Sequence, residues 1–204
     1  MKRIILLAFF CTLNIQCQVL DNDSPGYRFS NFEDSPAYNL AKAVKDENIE
    51  RITEIIISNP ELLNVQESKF GKTLLCLAIA NNKREAFKVL IANGANVNEI
   101  CGKLEKTTPL ITAIEFSDDC DPFFVNELLK NKCDVNLKVT TISKKGSVSE
   151  DLPLFKSIDC LEISKLLIEK GADLNSTIKI PPFKKPFSLI DVCLMYKEID
   201  FLYY

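Results

Sequence analysis

Six cysteines follow residue 17: Cys76, Cys101, Cys120, Cys133, Cys160 and Cys193. No two of them are spaced Cys-x-x-Cys, so the set does not read as a zinc site. The chain has no histidine, which excludes a Ser-His-Asp or Cys-His nucleophile, a histidine-ligated metal and a histidine proton switch. Gly71-Lys72-Thr73 matches the last letters of a phosphate-binding loop, but the opening glycine of such a loop is replaced by Gln66. Asp118, Asp119 and Asp121 share one polar loop. They read as a solvated turn, with weak calcium binding as the alternative. Ser143, Ser147, Ser149, Lys144 and Glu150 place nucleophiles and an acid in the stretch 137–151, where an enzyme or hydrolase accessory would have to house its chemistry, yet nothing in the sequence frames a pocket around them. No catalytic, cofactor-binding or metal-binding residue is therefore assigned, and the chain is expected not to be an enzyme.

Lysine is the remaining chemistry. Lys138, Lys144 and Lys145 fall in a segment with no acidic residue between Leu137 and Ser149, and Lys179, Lys184 and Lys185 in another between Ser176 and Ser188. The whole chain carries 25 Lys+Arg against 28 Asp+Glu, a formal charge of −3. There is thus no global electrostatic case for nucleic acid. Two local basic segments on an acidic chain instead suit an acidic protein partner.

These segments need a scaffold, and the sequence repeats itself to make one. Pro60-Glu61-Leu62-Leu63-Asn64, Gly94-Ala95-Asn96-Val97-Asn98, Cys133-Asp134-Val135-Asn136 and Gly171-Ala172-Asp173-Leu174-Asn175 end alike, with closing asparagines 34, 38 and 39 residues apart. Upstream of each lies an amphipathic run predicted as a helix: Ile49 to Ile57, Glu85 to Ala92, Phe124 to Lys130 and Leu161 to Glu169. Thr108-Pro109 is a helix start, because the threonine hydroxyl can take a first-turn amide and proline lacks only a donor that is not needed there. Gly94 and Gly171 sit where a helix stops in the left-handed region. Ala78 and Ala113 allow close approach of neighbouring units, and Leu90, Leu128, Leu129, Leu166 and Leu167 supply a core that no unit could bury alone.

Gly71-Lys72-Thr73-Leu74-Leu75-Cys76-Leu77-Ala78 opens one unit, and Glu85, Lys88, Leu90, Gly94, Ala95, Val97 and Asn98 follow in register. Thr108-Pro109-Leu110 with Ala113 repeats the opening, and Gly171 to Asn175 the close. In these residues the chain resembles the ankyrin repeat family. The resemblance implies an all-α solenoid of helix-turn-helix units with hairpin-like finger loops, four repeats plus a partial fifth from about Ser188, over residues 38–204. It also implies a concave face of finger tips and inner helices that binds a protein. On that face the partner-binding candidates are Lys138, Lys144, Lys145, Lys179, Lys184 and Lys185. Cys76, Cys133 and Cys193 then read as small buried hydrophobes. Cys120 and Cys160 fall in the inter-helix turns of adjacent repeats, at one edge of the stack, where an oxidising compartment would let them pair.

The two ends depart from this pattern. Lys2-Arg3 followed by apolar residues from Ile4 onward reads as a signal peptide over 1–17, too short to span a bilayer as a helix. Either Cys17 carries a lipid anchor or ordinary cleavage occurs nearby; removal of 1–17 takes two positive charges and makes the chain more acidic. Residues 18–37 read as a polar tether. The expected protein is exported, periplasmic or lipid-anchored, monomeric and cofactor-free. It would be a non-catalytic binding module, or more narrowly an immunity or chaperone-like protein masking an exported enzyme or toxin.

Overall fold

The helix starts behave as written in the sequence. Thr73 and Thr108 lie in extended backbone, and their hydroxyls accept the Cys76 and Ile111 amide protons at 3.3 and 3.2 Å. Asn48 does the same for the Arg51 amide at 3.0 Å. Each satisfies a donor that a helix leaves unpaired at its first turn, worth about 1 kcal/mol. In the computed structural model, which describes residues 24–196, these starts open paired helices. They are α1 (Tyr38–Lys45) with α2 (Ile49–Ser58), α3 (Leu74–Ala80) with α4 (Arg84–Ala92), α5 (Pro109–Glu115) with α6 (Phe123–Lys130), and α7 (Pro153–Lys156) with α8 (Leu161–Glu169). A further helix, α9 (Leu189–Tyr196), begins where the fifth repeat is expected.

The pairs stack in two layers. Helices α1, α3, α5 and α7 touch one another in that order, and α2 packs on α4. Phe87 of α4 continues the second layer by an edge-on contact with Phe124 of α6, 4.9 Å between centroids. Ala78 and Ala113 are buried at the first-layer seam, and Leu90, Leu128 and Leu167 are fully buried. Leu129 and Leu166 are only half-buried. Adjacent residues point 100° apart on a helix, so one leucine of each pair must leave the core.

Gly94 and Gly171 follow α4 and α8 at φ +93° and +91°. After α6 the corresponding residue is Lys132, which takes φ +61° without being glycine. Beyond these stops, the closing asparagines link neighbours. Asn64 Oδ1 accepts the Asn96 amide, Asn98 Oδ1 the Asp134 amide and Asn136 Oδ1 the Asp173 amide, each at 2.8 Å. Asn96, Asp134 and Asp173 in turn accept the amide two residues on, at 3.0, 2.8 and 2.9 Å. The recurring Asn/Asp-x-Asn is therefore a local turn whose first amide is handed to the preceding repeat.

Two expectations are corrected. The tether does not extend through 24–37: Pro25–Tyr27 and Phe29–Phe32 form 3-10 turns, and Phe29, Phe32 and Ala37 join the core. Tyr27 lies edge-on to Phe116 at 4.7 Å, and its carbonyl accepts Asn81 Nδ2 at 2.9 Å. Three aromatic rings among polar residues follow no helical or strand period, so the segment hid its docking. Nor are the elements all α: β1 (Val139–Ile142) with β2 (Val148–Asp151), and β3 (Thr177–Ile178) with β4 (Phe187–Ser188), form small antiparallel pairs. β-Branched residues fill β1, which suits extended backbone. The expected signal peptide, Cys17, residues 18–23 of the tether and the terminal Phe201–Tyr204 lie outside the described residues.

Candidate protein-interaction face

Each basic segment is a hairpin. In β1–β2, Val139 lies opposite Asp151 and Ile142 opposite Val148. The turn closes through Ser143 N to Ser147 O and Gly146 N to Ser143 O, both 2.9 Å, and Ser143 Oγ accepts the Ser147 amide at 3.0 Å. Gly146 at φ +79° completes the reversal. This leaves Lys144 and Lys145 exposed at the tip. In the second hairpin Ile178 lies opposite Phe187. Phe183 packs on Phe187 at 5.2 Å, and Lys184 and Lys185 are exposed between them.

The two hairpins join at Glu150 and Lys179. Glu150 N donates to Lys179 O at 3.0 Å, and Lys179 N donates to the Glu150 carboxylate at 3.1 Å. The same carboxylate lies 3.6 Å from Lys138 Nζ and 3.8 Å from Lys179 Nζ. Lys138 Nζ also donates to Thr177 O at 2.7 Å. The candidate lysines thus divide. Lys138 and Lys179 hold the fingers together, because Glu150, just past the acid-free stretch, folds between them. Lys144, Lys145, Lys184 and Lys185 face solvent, beside Ile142 and Phe183, which are 68% and 38% exposed.

The base of the first hairpin is pinned by a charge cluster. Lys156 Nζ lies 2.9 Å from Glu115 and 3.3 Å from Asp151. Burial works against its charge, but the two carboxylates outweigh it and hold the ammonium above the ordinary lysine range. A finger between α2 and α3 has its own organiser. Buried Glu67 accepts the Lys69 amide at 2.6 Å, the Phe70 amide at 2.8 Å and the Lys72 amide at 2.9 Å. Sequence reasoning passed over Glu67, since only the folded loop turns three amides toward one carboxylate.

The acidic loop is not a free cluster. Asp121 pairs with Arg84 and accepts the Phe123 amide at 3.0 Å to start α6, while Asp119 and Cys120 take φ +49° and +60°. Among the described residues no group of three or more His, Cys, Asp or Glu is placed to hold a metal. In the 137–151 stretch, Ser143 serves the turn and Glu150 serves the lysines. Cys120 and Cys160 meet at the edge of the third and fourth units, with Cα atoms 5.8 Å apart and their sulfurs joined. Cys76, Cys133 and Cys193 are buried, as is Cys101. Burial, with Asp134 beside it, pushes the Cys133 thiol up to about 12. No helix among the described residues is long and apolar enough to cross a membrane.

Residues 40–139 match the family model for ankyrin repeats in three copies. The chain is 28% identical over 121 residues to an ankyrin repeat protein of fowlpox virus (strain NVSL), covering 59% of this chain and 34% of that protein. It is 30% identical over 139 residues to an ankyrin repeat protein of Rickettsia bellii (strain RML369-C), covering 67% of this chain and 18% of that protein. The matched region thus spans about a third or less of each relative.

Proposed function

With residues 40–139 belonging to the ankyrin repeat family, a family that generally mediates protein–protein interaction, we propose that this chain is a non-catalytic module that binds an acidic protein on its joined fingers. The observation that carries the reading is the rim of Lys144, Lys145, Lys184 and Lys185 beside exposed Ile142 and Phe183. Solvated ammonium groups steer an acidic partner during encounter, and the apolar residues provide area to bury once it arrives. Residues 38–204 read as four repeats and a partial fifth, with the inner helices lining a concave face behind the fingers. Lys2-Arg3 and the apolar residues after them support export, with Cys17 lipidated or lost near the cleavage point.

The test begins with affinity capture from the native source and identification of the protein retained. Replacing Lys144, Lys145, Lys184 and Lys185 by serine should slow association with that partner and flatten its dependence on salt, leaving dissociation nearly unchanged. Replacing Lys45, at the end of α1, and Lys83, in the turn before α4, both away from the fingers, should do neither. Equal losses from the two sets, or loss from the second alone, reject the finger face.

A further inference from the structure

Cys76 and Cys101 form a second cysteine pair, besides Cys120 and Cys160. Their sulfurs lie 3.4 Å apart in the interior, and the residues are 25 apart in sequence. Both are held by fixed backbone. Cys76 sits in the first turn of α3, its amide capped by Thr73. Cys101 is bridged to Thr107 in both directions, at 2.9 and 2.8 Å. The loop carrying Cys101 is tied to the preceding finger by Gly102 N to Gly71 O and Lys103 N to Phe70 O, both 2.8 Å. Bond formation therefore asks the sulfurs to close by roughly 1.4 Å to the ordinary disulfide length. The chemistry is also prepared. The hydrogen bond from Cys101, against the resistance of burial and with help from Thr73 and the Lys72 ammonium, favours thiolate on Cys76, while Cys101 keeps its proton.

We propose that Cys76 and Cys101 close to a disulfide, covalently joining the first helix of one repeat to the finger that leads into the next. The oxidant is a low-molecular-weight disulfide such as oxidised glutathione. Cys76 thiolate attacks one of its sulfurs and expels a glutathione thiolate. Cys101 then loses its proton, attacks the Cys76 sulfur and expels the second glutathione. The two protein sulfurs give up two electrons, and the two cysteine protons leave with the two glutathione thiols. Because the pair is buried, exchange takes place before the finger docks or while it is locally open. The link is distinct from Cys120–Cys160. That pair joins inter-helix turns, whereas this one joins a helix start to a finger, so the two would fasten the stack at separate places.

The experiment is to refold the reduced full chain in a reduced/oxidised glutathione buffer, alkylate, and map tryptic peptides without reduction. Trypsin puts Cys76 on Thr73–Lys83 and Cys101 on Val89–Lys103, and separates both from the peptides of Cys120, Cys133, Cys160 and Cys193. The expected product is a cross-linked peptide of these two, lighter by two hydrogens than their sum and released by reductant. In Cys101→Ser, Cys76 should become alkylated while any Cys120–Cys160 link is unaffected. Recovery of Cys76 and Cys101 as alkylated thiols in folded full chain, whether or not Cys120–Cys160 has closed, overturns the proposal. So does a link from Cys76 to any other cysteine.

Discussion

Replacing Glu67 by alanine tests whether one carboxylate organises a finger. The side chain is 1% exposed and receives the amides of Lys69, Phe70 and Lys72. Of the three donors, the Lys72 amide is in the buried contact, and its loss of a partner costs about 1–3 kcal/mol. The other two are partly buried and can recover water, so each charge-assisted bond lost there costs about 1 kcal/mol. Glu67→Ala should therefore destabilise by about 3–5 kcal/mol, a large fraction of the roughly 5–15 kcal/mol that holds a domain together. Glu67→Gln keeps one acceptor oxygen and turns an NH2 toward an amide, so it should lose about 1–2 kcal/mol. Urea denaturation followed by circular dichroism gives the midpoints, and hydrogen exchange at the Lys69, Phe70 and Lys72 amides localises the change. If Glu67→Ala melts within about 0.5 kcal/mol of the parent, or if alanine and glutamine behave alike, the carboxylate is not the organiser.

Lys132→Gly should stabilise by about 1 kcal/mol, because glycine takes the left-handed conformation that lysine adopts at strain, and Gly171→Val should destabilise by about 1–2 kcal/mol for the converse reason. Nothing lies within 4 Å of a Cβ added at Gly171, so the loss expected there is conformational, and paired urea midpoints check both signs. Asp191 accepts the Ser188 hydroxyl and amide at 2.7 and 2.9 Å. These bonds, the hydroxyl first, hold its carboxyl below the usual range. A depressed carboxyl stabilises fully above the unfolded value of about 3.9 and loses that contribution as pH falls through the lower folded value. Exchange at the Ser188 amide should accordingly rise, relative to neighbouring amides, as pH drops below about 4, and that extra rise should vanish in Asp191→Asn.

What the sequence discloses here is periodic or local. The second-layer helices begin and end within a residue or so of the apolar runs Ile49 to Ile57 and Leu161 to Glu169, since the 3.6-residue pattern and the caps fix them together. Thr108-Pro109 names its own helix start. Repeat register alone places the turns bearing Cys120 and Cys160 at one edge of the stack. Contacts that depend on how a loop folds back were not legible. Glu150 stands one residue outside the acid-free stretch and still neutralises part of it, and Cys101 meets Cys76 only because its loop doubles back through Thr107. Tyr27, Phe29 and Phe32 escaped for another reason: their spacing carries no period, so burial had no signature.

The closing asparagines have a consequence for change in the chain. Each accepts the amide two residues before the next closing asparagine, and this holds although the intervals are 34, 38 and 39 residues. Alignment of neighbours is thus set at the root of each finger, and the residues beyond the root do not enter the count. The exposed hairpin tips at Lys144–Lys145 and Lys184–Lys185 lie beyond these roots, so they can be recharged or exchanged without touching the asparagine bonds that keep neighbouring repeats in step.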